Sequence, residues 1–182
     1  FDYVTVEENN YNTYSNMYLK QMLAIGSEID ILKKVVASLF QQDFDEKKDN
    51  VNKIIEQNFP DITTIEIKFK NSGTLLYPWK YSKEPDWWTA YNEVKHNRLD
   101  KAVRFDPSKN YYQYANLKNI LLALSALHSL EFIAYRKIAI DEGKDLFVPT
   151  IKSLFLITNS YWKDINYGSR SIVYNGCLYM VD

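Results

Sequence analysis

Asn92, Lys95, His96 and Arg98 put an amide, an ammonium, an imidazole and a guanidinium within two helical turns of one another, beside Trp87 and Trp88. Read as a helix, Asn92 and His96 share a face, with Lys95 and Arg98 on the flanks. These residue types suit metal-independent cleavage of RNA. A base takes the 2′-hydroxyl proton, an acid protonates the leaving oxygen, and a cation steadies the charged phosphorane. Histidine serves both proton transfers because its ordinary pKa lies near 6.5, and Arg or Lys serves the third task. One such histidine cannot easily be acid and base at once; two copies facing each other across a dimer can. The plainer reading is a solvated helix end whose histidine does no chemistry.

The chain has one other histidine, His128, inside the apolar run from Leu124 to Leu130, where a hydrogen-bonded structural role is expected. Cations continue past His96 as Lys101, Arg104 and Lys109, against Asp100 and Asp106. Lys101, Arg104 and Trp88 are therefore the candidate RNA contacts, with Trp88 as a surface for base stacking. The Trp87–Trp88 and Tyr111–Tyr112 pairs could stack bases, but such aromatics read more readily as packing anchors. Asp43, Asp45 and Glu46 lack the spacing of a metal site, and no Gly-rich phosphate loop, His-Glu-x-x-His or nucleophile elbow occurs. No cofactor or metal is expected.

The elements that must position these groups are helical. Met22, Ile25, Ile29, Leu32, Val36 and Leu39 recur every three or four residues, predicting a long helix over 15–40. Gly26 interrupts it at about 1 kcal/mol relative to Ala, which suggests a close helix contact. A second helix is expected over 43–58, ending before Pro60. Residues 64–70 alternate strictly and predict a strand, with a turn at Asn71-Ser72-Gly73 and a return over 74–77. Pro85 suits the first position of a helix running to Arg98, with Asp86 favourable in its first turn. The most apolar helix is expected over 108–140. Periodicity cannot assign the apolar run 151–157. Asn175-Gly176 between 172–174 and 177–179 signals a hairpin.

A length of 182 residues fits one domain, and the scarcity of Gly and Pro, five of each, favours long regular elements. The net charge of −1 argues against coating nucleic acid by bulk electrostatics. Cys177 is the sole cysteine, so neither an intrachain disulfide nor a cysteine-built zinc site can form, which fits a reducing, cytoplasmic setting. No apolar run reaches the roughly 18–20 residues of a bilayer span. The chain opens at Phe1 without a signal-peptide pattern, leaving room for an upstream piece.

Three segments, in order, resemble a known family. They are Ile25-Gly26-Ser27-Glu28-Ile29-Asp30-Ile31, Trp88-x-x-Tyr91-Asn92-x-x-Lys95-His96-x-Arg98, and Ala115-Asn116-Leu117-Lys118-Asn119 with its Leu/Ala continuation. Together they resemble the HEPN-like superfamily (higher eukaryotes and prokaryotes nucleotide-binding) in its bacterial branches, over about two-thirds of the chain. The resemblance implies a mainly α, up-and-down helical bundle with short β-hairpin additions, its core over about 15–140 and an extension over 141–182. It also implies a homodimer and a metal-independent ribonuclease of phage-defence or toxin–antitoxin systems, with RNA and an antitoxin or other protein as partners. The family motif is Arg, a polar residue and then His. Asn92 and His96 match its last two members, while Tyr91 stands where the spacing would put the arginine. His96 would then be the acid/base, Asn92 would orient phosphate or histidine, and Lys95 and Arg98 would supply charge. The alternative is a non-catalytic scaffold for dimerisation or for protein or nucleotide binding.

Overall fold

The first long helix begins because the Ser15 side chain accepts a hydrogen bond from the Tyr18 N–H at 3.1 Å, satisfying one of the open donors of its first turn. This helix, α1, spans Asn16–Phe40. In the computed structural model, residues 4–80, 84–143 and 154–158 are described in full. Of 147–148, 166–167, 170–174 and 177–181 the strand pairing alone is described. Three further helices complete the bundle: α2 (Val51–Asn58), α3 (Asp86–Asn97) and α4 (Leu117–Asp141). The architecture among the described residues is mainly α, a four-helix bundle with a small antiparallel sheet against it.

α1 and α4 run side by side in the same direction. Their starts are joined where the Leu117 N–H donates to Thr13 O at 2.9 Å, and their far ends meet where Lys137 Nζ lies 5.6 Å from the Phe40 ring centre. α3 runs opposite to α1, since Tyr91 sits at Gly26 and Trp88 at Lys33. α4 is the central element, burying Leu117, Ile120, Leu121, Ala126, Leu130 and Ile133 among others. It is by itself long and apolar enough to cross a bilayer, contrary to the sequence expectation. However, 67% of that apolar window is buried within the protein, as a core helix requires.

Two helix starts differ from the sequence expectation, both because local caps win. Residues 43–50 form turns instead of helix: Asp49 Oδ2 accepts from Gln41 Nε2 and from the Asp45 N–H, each at 2.8 Å. Asn50 then caps α2, accepting from the Lys53 N–H. Likewise, 108–116 is not part of α4. Asn110 and Gln113 close a reciprocal capping box on a short 3-10 turn, and Asn116 caps α4 through the Asn119 N–H at 3.0 Å. Pro85 stands one place outside α3, as its cap.

The alternating segment is shorter than expected because Pro60–Thr64 winds into a 3-10 turn. β1 (Ile67–Phe69) pairs antiparallel with β2 (Leu75–Leu76) and, on its other edge, with Phe155–Ile157, which makes the end of the ambiguous apolar run a strand; 151–153 lie outside the described residues. Counted along the chain, that strand is β4, after β3 (Phe147–Val148), which pairs in parallel with β5 (Asn166–Tyr167). β6 (Arg170–Tyr174) and β7 (Cys177–Val181) form the antiparallel hairpin, with Tyr174 opposite Cys177. The turn residues Asn175 and Gly176 lie outside the described residues.

His128 lies on α4 where the sheet meets it, its ring 4.9 Å from Phe132 and 5.8 Å from Phe155 by centroids. The hydrogen bond expected for it is absent at Nε2, which is buried with no partner among the described residues. Burial, helped by the Lys70 ammonium, pushes its pKa down to about 4. The folded pKa thus lies below the ordinary value, so the contribution to stability is complete above pH 6.5 and is lost as pH falls towards 4. Urea unfolding at pH 7.5 and 5.5 should show a loss on the order of 1 kcal/mol at the lower pH. His128→Leu should remove most of that difference; an unchanged pH dependence would show that His128 is not its source.

Candidate functional site

Asn92 and His96 do lie on one face of α3, with Asn92 half-buried and Lys95, His96 and Arg98 exposed at the helix end. Two of the cations expected near the imidazole make contacts elsewhere. Lys95 Nζ turns back over the Tyr91 ring, 5.5 Å from its centre. Arg104 is engaged elsewhere: its Nε sits 3.1 Å from Glu93 Oε1, while Asn97 Nδ2 donates to the other oxygen of Glu93 at 2.8 Å. Glu93 is buried, so the polar group most firmly built into this end of α3 is a carboxylate already occupied by protein donors.

The loop after α3 is pinned by backbone bonds. The Ala102 N–H donates to Lys109 O, and the Tyr111 and Tyr112 N–H groups donate to Asp100 O and Arg98 O. Lys101 is held exposed on this loop, and so are Leu99, at 74% exposure, and Val103, at 71%. Trp87 and Tyr111 are buried in the core. Trp88 does not belong with the basic residues. It precedes His96 by eight positions, about 12 Å along a helix at ~1.5 Å per residue.

Trp88 belongs instead to a site that the sequence pattern did not single out. Lys33 is only 7% exposed, in the middle of the buried stripe of α1. Its Nζ lies 4.1 Å from the ring centre of Trp88 and 5.6 Å from that of Trp79. Both positions are rigidly braced. Trp79 Nε1 donates to Ser129 Oγ on α4 at 2.7 Å, and Trp87, in edge contact with both, donates from Nε1 to Pro78 O at 2.7 Å. Burial is the main cause that lowers the Lys33 pKa, to about 8; Asp30, Glu84 and Glu56 pull the other way. No acceptor or carboxylate lies within bonding distance of its ammonium among the described residues. The ammonium makes cation–π contacts with both indoles while keeping some access to water.

Lys33 lines a cavity of ≈ 410 Å³ between α1 and the start of α2, and a smaller one of ≈ 240 Å³ that shares Asn50, Asn52 and Trp88 with it. A larger hollow of ≈ 1080 Å³ lies between β2, α3 and α4. Its buried amides are already used, Asn116 in capping α4 and Asn119 in donating to Tyr114 O at 2.8 Å. Among the described residues, no group of three or more His, Cys, Asp or Glu side chains could hold a metal ion.

Comparison with protein-family models, curated proteins and solved structures finds no match. Any functional reading therefore rests on the geometry of these two regions.

The signal for Lys33 was present in the sequence. The buried face of α1 is Tyr18, Met22, Gly26, Ile29, Lys33, Val36 and Ala37, spaced by three or four. A lysine in phase with such a stripe is a charge drawn into the core. Of the apolar residues chosen from periodicity, Met22, Ile29 and Val36 lie on that face, while Ile25, Leu32 and Leu39 lie on its shoulder and are half-buried. That reading took the apolar members of the face and left out the lysine between Ile29 and Val36.

Proposed function

We propose that this chain is a non-catalytic helical scaffold that holds a protein partner at the basic end of α3. The observation that carries this reading is the joint exposure of Leu99 and Val103 among Lys95, Arg98 and Lys101. Two large aliphatic side chains in water are unfavourable unless another surface covers them, and they offer no ring on which a base could stack. The surrounding positive charge suits an acidic protein surface and disfavours a symmetric contact between two copies of the same patch. Arg104 and Lys109 add little, being offset by Glu93 and Asp106.

The second reading is the HEPN-like ribonuclease, acting as a homodimer. It is favoured by the exposure of His96 beside Lys95 and Arg98, with no protein group claiming the imidazole among the described residues. It needs a second copy to supply the missing acid or base. One experiment separates the two readings. Incubation of mixed RNA substrates in EDTA should give no cleavage by the wild type, and His96→Ala should be indistinguishable from it. Cleavage that disappears in His96→Ala would establish the nuclease reading instead. For the scaffold, Leu99→Asp with Val103→Asp should leave the circular dichroism spectrum and melting temperature unchanged. The same pair should abolish co-purification of a stoichiometric partner; retention of that partner would refute this surface.

A further inference from the structure

We propose that the cleft between α1 and the N-terminus of α2 binds a phosphate group. It would be held by the Lys33 ammonium and the N–H groups of Val51 and Asn52, with the remainder of the ligand against Trp88. This site is separate from the end of α3 and does not depend on what that surface binds.

Two independent features point at the same space. The first is Lys33: more than nine-tenths buried, hydrogen-bonded to nothing among the described residues, and lining the ≈ 410 Å³ cavity. Its stem is buried, and its ammonium, over the Trp88 ring, stands accessible at the wall of that cavity, where a ligand can reach it. The second feature is the start of α2, which lines that cavity with Asn50, Val51 and Asn52. In the first turn, the Lys53 N–H is taken by the Asn50 side chain and the Ile54 N–H by Asn50 O. The Val51 and Asn52 N–H groups have no acceptor among the described residues. Open donors at the positive end of a helix form an anion site when a cation stands opposite them.

The other two lysines lining the cleft are already paired with carboxylates. Lys34 lies 3.6 Å from Asp30 and 3.1 Å from Glu46, and Lys48 lies 2.9 Å from Asp45. Asp49, the acid nearest the start of α2 in sequence, uses Oδ2 to accept from the Gln41 amide at the end of α1 and from the Asp45 N–H. Among the described residues, Lys33 is therefore the lysine lining this cleft whose charge no carboxylate meets at ion-pair distance. Three donors arriving from two elements suit a group that offers oxygens in several directions, as a phosphate does. The indole of Trp88, half-buried at the cavity wall, gives a planar surface for whatever carries that phosphate.

The test uses the full chain and two probes, inorganic phosphate and phenyl phosphate, with binding read by calorimetry and by tryptophan fluorescence. Saturable one-to-one binding is expected for at least one probe, weakening as pH rises through about 8 and Lys33 loses its charge. Lys33→Met should weaken it at least about tenfold. Val51→Pro should also weaken it about tenfold, because proline is well tolerated at the first position of a helix yet removes one donor. The backbone of Asn50, at φ −88° and ψ 100°, already suits a residue before proline. Thermal melts of both variants exclude unfolding as the cause. Tighter binding of phenyl phosphate, with the excess lost in Trp88→Leu, assigns a phosphate ester; equal binding of the two probes assigns free phosphate. No saturation by either probe in the low-millimolar range, or unchanged affinity in both donor variants, overturns the proposal.

Discussion

Lys33→Met should stabilise the protein by about 2 kcal/mol at pH 7. A pKa lowered from 10.5 to about 8 means that holding the ammonium charged in the fold costs about 3 kcal/mol, at ~1.4 kcal/mol per unit. Contact with two indoles returns about 1–2 kcal/mol, and methionine would replace it with apolar burial of similar volume. The sign can be checked by pH. Because the folded pKa is depressed, the wild type gains stability from this group only as pH rises from 8 towards 10.5. The advantage of Lys33→Met should therefore be constant below about pH 7.5 and shrink steadily above it. Urea midpoints across pH 6 to 10 measure this. A destabilised variant, or a gap that stays constant to pH 10, would show that Lys33 is not held at a cost.

A position that weakens the fold is informative, because apolar residues would serve packing better there. The energetic argument and the binding argument thus meet at one residue. The variant expected to fold best is also the one expected to lose phosphate, and a purely structural lysine would link no such pair of effects.

The helices were legible in the sequence because their signals are local. Ser15, Asn50, Pro85 and Asn116 sit where the chain turns into helix, and apolar spacing marks the turns beyond each of them. The starts of α2 and α4 were overextended because Asp49 and Gln113 make short-range hydrogen bonds that hydrophobic periodicity does not register. The third strand of the sheet was ambiguous for another reason. Phe155–Ile157 becomes a strand through its pairing with Ile67–Phe69, a contact far away in sequence. The same limit applied to function. Asn92, Lys95, His96 and Arg98 stood out because they are neighbours in the chain. Lys33, Trp79, Trp88 and the start of α2 are brought together only by folding. The one local trace was a lysine in phase with the buried stripe.

Gly26→Ala should cost about 2–3 kcal/mol, although alanine is the better helix former by about 1 kcal/mol. A methyl group at Gly26 would stand 2.6 Å from Cγ of Tyr91, the root of the ring and not a movable tip. That ring cannot step aside. Tyr91 is buried, its ring centre is 5.0 Å from that of Trp88, and α3 is fixed further along by Trp87 on Pro78 O. The helices α1 and α3 would have to part, and the gap would open along the face that carries Lys33 two turns later. Denaturant unfolding should show the loss, and Tyr91→Ala in the same chain should relieve much of it, giving a strongly non-additive double-mutant cycle. Phosphate binding should weaken as well in Gly26→Ala, since the stack from Tyr91 to Trp88 positions the indole over the Lys33 ammonium. A variant of wild-type stability would mean that the helices approach less closely than this contact requires. Normal binding in a destabilised variant would show that the cleft is held by α2 and Trp79, independently of α3.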